Sequence, residues 1–309
     1  MKKLMTLAIA FIISVGAFAQ KNEVWSSLKK DANFFLANDL GRNGYYDQKP
    51  IAELMGIMAE EIGPECIIAA GDVHHFDGVQ SVDDPLWMTN YELIYSHPEL
   101  MIDWLPVLGN HEYRGKTQAV MDYSNISRRW NMPARYYTKV YEEDGTTVRF
   151  VMVDTTPLMS KYRNESQKYP DASKQDNTKQ LAWVDSVLTS AKEDWVIVVG
   201  HHYAETPKDS SERKDMQNTL GKVLTKHKNV AMYLCGHIHN FQHICAEGSS
   251  IDYIVNSSAS LSRKVNPIKG TQFCSPETGF SVIAADEKEL CVHMIDKNGN
   301  VLHSVKKMK

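Results

Sequence analysis

An α/β fold built on parallel strands is the class this sequence predicts, on three observations. Four short apolar runs each end in a glycine followed at once by a side chain able to bind metal: Cys66-Ile67-Ile68-Ala69-Ala70, Leu105-Pro106-Val107-Leu108, Trp195-Val196-Ile197-Val198-Val199 and Ala231-Met232-Tyr233-Leu234-Cys235. Uninterrupted runs of this length read as buried strands. Between an earlier run, Phe34-Phe35-Leu36-Ala37, and the first of these four, Ile51, Leu54, Met55, Met58 and Ile62 fall at helical spacing behind Pro50, a favourable first-turn residue. That makes a strand–helix–strand unit. Finally, β-rich stretches on either side of Asp144-Gly145, within residues 136–155, carry a hairpin signature.

The remaining elements follow in order. Residues 85–95 read as a second helix, and the strand ending at Leu108 then puts three consecutive strands with ligand-type residues at one C-terminal edge. Residues 157–176 are polar with few apolar anchors and read as a mobile loop, either a lid or a plain surface insertion. Leu181, Val184, Val187 and Leu188 mark an amphipathic helix, and residues 216–224 another. Beyond His237 the short runs at 252–255, 280–285 and 290–295 predict a mixed or antiparallel second sheet that closes the fold.

Lys2 and Lys3 precede an apolar core from Leu4 to Val15, and Ala17-Phe18-Ala19 has the small-x-small form of a cleavage site, so residues 1–19 read as a signal peptide. Export to a periplasm or to the outside is the expectation, and no cysteine at the cleavage site supports a lipid anchor. No later stretch approaches the roughly 20 apolar residues that a bilayer needs, so no membrane partner is expected. Residues 20–309 contain no linker, repeat or low-complexity tract and are read as one domain. The net charge is −4, and the only basic cluster, Lys306, Lys307 and Lys309, reads as a solvated tail; nucleic acid is not an expected partner. Five cysteines allow up to two disulfides, and Cys66 and Cys235 lie in strand-like runs that favour buried free thiols. The oligomeric state is left open, a monomer included.

The chemistry sits at the strand ends. After Phe34–Ala37 comes Asn38-Asp39-Leu40-Gly41; the four later runs lead into Gly71-Asp72-Val73-His74-His75, Gly109-Asn110-His111-Glu112, Gly200-His201-His202 and Gly236-His237-Ile238-His239. Carboxylate, amide oxygen and imidazole without thiolate are donors for hard or borderline ions. Two such ions about 3.5–4 Å apart make bound water acidic and clamp the oxygens of an in-line phosphoryl displacement, with a carboxylate bridging them. In an extended Gly-His-Ile-His segment His237 and His239 would project to one side and could hold neighbouring ions. A purely structural role for the whole set is disfavoured, since buried carboxylates and imidazoles crowded together would repel or stay unsatisfied without metal. His74 reads as a solvated loop histidine or a substrate contact, His243 as a loop support, and His97, His227, His293 and His303 as surface or packing residues.

With these motifs assembled, the chain resembles the calcineurin-like metallophosphoesterases and, among them, the small tartrate-resistant type of purple acid phosphatase. That family reads Asp-x-Gly, Gly-Asp-x-x-Tyr, Gly-Asn-His-Asp/Glu, Gly-His and Gly-His-x-His in this order. The less generic Phe76-x-Gly78-Val79-Gln80 and Tyr123-Ser124-x-Ile126-Ser127-x-Arg129-Trp130-Asn131 match it too. The resemblance implies a four-layer α/β/β/α sandwich, two mixed β-sheets flanked by helices. It implies one ion on Asp39, Asp72, His75 and His239 and a second on Asp72, Asn110, His201 and His237, with Asp72 bridging. It makes His111 the group that contacts phosphate and protonates the leaving oxygen.

Two departures carry expectations of their own. His75 stands where the family has the tyrosinate that colours and stabilises ferric iron, so a colourless enzyme with an all-divalent pair of Fe, Zn or Mn is expected. Ser210 stands where small members have a further histidine, nine residues after the Gly-His ligand; either His202 or residues 208–211 compensate, or the acid role rests on His111 alone. The expected function is an exported dinuclear-metal phosphoesterase acting on small phosphate monoesters, an acid-phosphatase-like hydrolase. A phosphodiesterase or nucleotide hydrolase on the same fold is the alternative, and a non-catalytic binding protein is the more distant one.

Overall fold

The computed structural model describes residues 21–204 and 211–309; the expected signal peptide lies outside them. Among the described residues, thirteen strands form two sheets. The first holds β1 (Ala32–Ala37), β2 (Cys66–Ala69), β3 (Asp103–Pro106), β11 (Gly279–Ala285), β12 (Glu289–Asp296) and β13 (Val301–Met308), in the order β13-β12-β11-β1-β2-β3. The second holds β4 (Tyr137–Glu143), β5 (Thr146–Met152), β6 (Trp195–Val199), β7 (Val230–Cys235), β8 (Phe241–Cys245), β9 (Asp252–Val255) and β10 (Thr271–Ser275), in the order β10-β8-β9-β7-β6-β5-β4. Both are mixed: β1, β2 and β3 run parallel, as do β5, β6, β7 and β9, while the outer strands pair antiparallel. This is the expected pair of mixed sheets flanked by helices.

Burial on both faces explains the continuous apolar runs. Every residue of β1, β2, β6 and β7 is buried, as central strands covered on both sides must be. The sheets meet face to face through edge-on aromatic contacts, Phe34 of β1 lying 5.2 Å from Tyr141 of β4 and 4.9 Å from Phe150 of β5. Helix α1 (Gln48–Ile62) buries Ile51, Met55, Met58 and Ile62 along one stripe, and Gly63 at φ 62° closes it in the left-handed conformation. The Asp144-Gly145 hairpin turn has φ of 48° and 89°, as a tight turn between twisted strands requires.

Several expectations need correction. The C-terminal strands do not build the second sheet: β11 returns to pair with β1, so β11, β12 and β13 extend the first sheet, while only β8, β9 and β10 complete the second. Apolar runs mark strands but say nothing about which partner a non-local strand finds. The basic tail is edge strand β13, with Lys307 on Asp252 at 2.8 Å, Lys306 on Glu289 at 3.3 Å and Lys309 on Asp194 at 2.5 Å. Residues 157–176 are not a loose polar loop. They hold the short helix α2 (Ser160–Asn164) and are anchored by buried Leu158, Met159, Tyr162, Tyr169 and Ala172, apolar groups spaced without a period. Residues 85–95 contain a π-helical turn, Trp87–Glu92, rather than a regular helix. Helix α3 (Asn177–Ser190) contains the expected Leu181, Val184, Val187 and Leu188, and α4 (Ser211–Met216) opens a helical stretch that runs on to Leu224. All five cysteines are free thiols. No helix among the described residues is long and apolar enough to cross a membrane.

Candidate metal centre

The parallel strands of both sheets end at the same place, and the ligand-type residues lie in the loops just beyond. Asp39 follows β1, Asp72 and His75 follow β2, and Asn110 and His111 follow β3; His201 follows β6, and His237 and His239 follow β7. Hydrogen bonds stitch the two edges together. The His237 amide donates to Asp39 Oδ2 at 2.9 Å, and His201 Nδ1 donates to the Ala70 carbonyl at 2.8 Å. All eight predicted residues therefore meet in one cluster.

The glycines before Asp72, Asn110, His201 and His237 are required by crowding. A Cβ at Gly109 would sit 2.2 Å from Asp72 Oδ1, and one at Gly71, which also has φ of 87°, would sit 2.5 Å from His201 Nδ1. Asp39, Asp72, His237 and His239 themselves adopt positive φ, at 51°, 54°, 72° and 58°. Such conformations cost about 1–2 kcal/mol each for residues bearing a Cβ and gather where function demands a particular aim. The Gly-His-Ile-His segment is thus a turn and not the expected strand, and it does not project both imidazoles to one side. They diverge, His239 Nε2 lying 3.0 Å from Asp39 Oδ1 while the His237 ring centre lies 5.2 Å from that of His201.

Lone pairs converge where hydrogen bonds are missing. His239 Nδ1 donates to the Leu261 carbonyl at 2.6 Å and His201 Nδ1 to Ala70, so in each ring Nε2 is the free donor atom. His201 Nε2 faces Asp72 Oδ2 at 3.1 Å, with His75 Nε2 at 3.7 Å and His111 Nε2 at 3.8 Å from the same oxygen. Asp39 Oδ1, both His75 nitrogens, Asn110 Oδ1, His201 Nε2 and His237 Nδ1 are buried without a hydrogen-bond partner. Buried polar atoms are nearly always satisfied; a cluster of orphans that are all good metal donors fits bound cations, and the absence of thiolate fits Zn, Fe or Mn.

Electrostatics agree. Burial pushes the Asp39 and Asp72 carboxyls up, but neighbouring imidazoles outweigh it, His239 leading for Asp39 and His201 for Asp72, and both are held below the usual carboxylate range. Burial lowers His201, yet Asp72 reverses this and raises it to about 10. A proton there supplies positive charge that the carboxylates demand, and a cation would displace it. Burial drives His75, His237 and His111 below the ordinary histidine value.

Supporting residues were only partly legible. Glu112, seen in the sequence merely as a motif member, ties two ligand loops: Oε2 accepts from the amides of Asp72 (2.9 Å) and Gly109 (2.8 Å), and Oε1 from His74 (3.0 Å). Burial, then the Asp72 charge, pushes it up to about 7. Glu212 on α4 had no sequence signal; it accepts from Lys161 and Tyr162 and approaches His237 Nε2 at 3.6 Å. His202 is fully buried between Thr155 Oγ1 (2.9 Å) and the Tyr162 hydroxyl (3.1 Å), so it props the site rather than replacing an acid. Ser210 lies outside the described residues. His74 is neither solvated nor a substrate contact, being fully buried with its ring centre 4.4 Å from that of Trp87. His111 Nδ1 donates to the Phe76 carbonyl at 2.5 Å, leaving Nε2 toward the centre. A cleft of about 300 Å³ opens beside it, lined by Asp72, Asn110 and His111, by Glu165, by the Lys161–Glu212 ion pair (2.7 Å) and by the cations Arg114, Lys168 and Arg263, which can meet an anion.

The family model described as calcineurin-like phosphoesterase matches residues 32–241. Purple acid phosphatase 4 of Arabidopsis thaliana is 29% identical, over 97% of this chain and 91% of that protein. Tartrate-resistant acid phosphatase type 5 of Sus scrofa is also 29% identical, over 82% of this chain and 79% of its own length. Among solved structures, GAP50, described as the anchor in the inner membrane complex of Plasmodium, superposes with a TM-score of 0.77 at 21% identity, covering 90% of this chain and 89% of that one. A dimetal phosphatase from Danio rerio gives 0.59 at 14% identity, covering 90% and 99%.

Proposed function

The chain belongs to the calcineurin-like phosphoesterase family, and from that premise we propose that it is an exported acid-phosphatase-like enzyme that hydrolyses small phosphate monoesters at a dinuclear metal centre. The observation that carries this reading is the convergence of orphaned donor atoms at the joined edges of the two sheets. Asp39, Asp72, His75 and His239 hold one ion, and Asp72, Asn110, His201 and His237 the other. Fe, Zn or Mn fits this donor set, and with His75 in place of a tyrosine the enzyme is colourless. When bound, the ions supply a nucleophile at moderate pH and neutralise phosphoryl oxygens.

The chain's own residues do the rest. Arg114, Lys168 and Arg263 draw the anionic substrate into the cleft. His111, its Nδ1–H held by the Phe76 carbonyl, keeps Nε2 aimed at the centre; as the imidazolium, which its burial confines to acidic pH, it delivers the Nε2 proton to the leaving oxygen. Glu112 keeps the Asp72 and Asn110 loops in register, and Glu212 steadies His237. Residues 1–19 serve as a signal peptide, and residues 20–309 form one phosphoesterase domain.

Metal content and a visible spectrum on one purified sample, with monoester and diester hydrolysis by wild type and Asp72→Asn, test this. About two ions per chain, no purple band and a monoesterase activity lost in the variant are the expected results. A diester preference would select the phosphodiesterase alternative. Absence of both metal and hydrolysis would leave a binding protein on a retained fold.

A further inference from the structure

Away from the catalytic edge, the second sheet brings a thiol, an imidazole and a carboxylate together. The catalytic histidines follow the C-terminal ends of β6 and β7, whereas Asp252 opens β9, which runs parallel to β7, and so lies at the opposite end of that strand. Antiparallel pairing of β8 with β9 sets Cys245 directly across from Asp252, and His243, two residues back along β8, shares their face. His243 is therefore a strand residue rather than the expected loop support. Strand β13 of the first sheet supplies the surroundings: Lys307 Nζ lies 2.8 Å from Asp252 Oδ2, and His303 Nε2 lies 3.1 Å from His243 Nδ1. The His303 ring is in turn stacked on Phe273 of β10, 4.6 Å away and 5° from parallel.

The donors are spaced as ligands of one ion. Asp252 Oδ1 stands 2.8 Å from His243 Nε2 and 3.3 Å from Cys245 Sγ, and Sγ stands 3.5 Å from Nε2. Ligands of a tetrahedral Zn²⁺, bound at roughly 2.0–2.3 Å, lie about 3.3–3.6 Å from one another. Two of the three edges already fit, and the third needs only a small parting of His243 from Asp252. The surroundings fit as well. Lys307 holds Asp252 Oδ2, which leaves Oδ1 for an ion, and His303 Nε2 can accept from His243 Nδ1–H, the outer hydrogen bond that sets the tautomer of a ligating imidazole. Burial, then His243, lowers His303 and keeps it neutral for that role. Burial, then Asp252, pushes the Cys245 thiol up to about 11, so it carries a proton that a bound cation would displace. Thiolate, imidazole and carboxylate together suit Zn²⁺.

We propose that His243 Nε2, Cys245 Sγ and Asp252 Oδ1 form a further metal site, separate from the phosphoesterase centre, that takes a Zn²⁺ ion with water as its fourth ligand and joins β8 and β9 to β13 of the other sheet. Binding forms the Zn–S, Zn–N and Zn–O bonds and releases the thiol proton to solvent, while His243 keeps its proton on Nδ1. The charge of the ion is met by the thiolate and the carboxylate, with Lys307 beside them. Three protein ligands hold the ion less firmly than the four of a closed structural site, so it fills when zinc is added to protein that already carries its catalytic pair.

Cobalt(II) in place of zinc tests this, because a cobalt–thiolate bond gives a near-ultraviolet charge-transfer band that a centre without thiolate cannot produce. Metal-loaded wild type, kept reduced, is titrated with Co²⁺. The band should grow in and saturate as a single site, and Zn²⁺ should then bleach it. Cys245→Ser should abolish the band and leave monoester hydrolysis unchanged. His303→Phe keeps a ring on Phe273 but removes the acceptor, and should weaken cobalt binding by about 10- to 100-fold; this graded loss tests the site even if the serine variant fails to fold. No band in wild type, a band that survives Cys245→Ser, or one that zinc does not bleach overturns the proposal. Equal cobalt affinity in wild type and His303→Phe overturns the part given to β13. Hydrolysis without the band removes this site and leaves the phosphoesterase reading standing, whereas the band without hydrolysis upholds the site and defeats that reading.

Discussion

The two halves of the centre differ in how firmly their imidazoles are held. In the half that joins His201 to His237, His201 is oriented by the Ala70 carbonyl and His237 faces Glu212. In the other half His239 is oriented by the Leu261 carbonyl, but His75 has no partner on either nitrogen. Outer hydrogen bonds fix the tautomer and ring angle of a metal ligand and raise its affinity. On the proposed assignment, the half that contains His75 is expected to bind its ion the more weakly of the two.

In the proposed assignment Asp72 serves both halves, so Asp72→Asn should have the largest effect, a fall in kcat on the order of 10²- to 10³-fold together with loss of metal. Retention of two ions and near-normal activity would dissolve the distinction between halves by removing its bridge. Next, a chelator titration followed by metal analysis should release one ion before the other. His75→Ala should weaken the early ion by about 10- to 100-fold while sparing the late one; if His201→Ala does this instead, the ranking of the halves is reversed. Iron-loaded His75→Tyr should gain a purple band, sharpening the assignment of that half. Glu112→Gln should cost about 10-fold in activity and weaken both ions alike, because its carboxylate accepts from loops serving both. A loss confined to one half would show that it orients a single loop.

The smallest effect lies outside both halves and serves as a control. His293 on β12 is buried against Ser304, and burial, then Lys306, lowers it to about 4. A histidine whose folded value lies below its unfolded value of 6.5 contributes stability above pH 6.5 and loses it as pH falls toward 4. His293→Phe should flatten that acid loss by roughly 1–3 kcal/mol in denaturant titrations at pH 7 and 5, with metal content unchanged. An unaltered pH slope would remove His293 from the acid transition.

The ligand set was readable in sequence because each donor lies just beyond a short apolar strand, and Asp72, Asn110, His201 and His237 directly follow a glycine, a local signature set by burial and by close approach. Glu112 was visible but silent, since a carboxylate that accepts three backbone amides looks no different in a sequence from a solvated one. Glu212 was invisible, because α4 reaches His237 only through the packing of α2 and the α4 region. The 157–176 segment was misjudged for the same reason: Tyr162 and Tyr169 anchor it by non-local contacts that follow no periodic pattern.

By itself the sequence determined the strand-and-glycine framework, the hairpin, helix α1 and the identity of the donors, all of which depend on neighbours a few residues apart. Only the tertiary structure decided that β11–β13 return to the first sheet, that His237 and His239 diverge from a turn, that Arg114, Lys161, Lys168 and Arg263 share one wall, and that His243 and Asp252 meet His303 and Lys307 of the other sheet. Strand pairing and side-chain convergence depend on segments far apart along the chain, and local propensity carries no record of which distant surface a residue will meet.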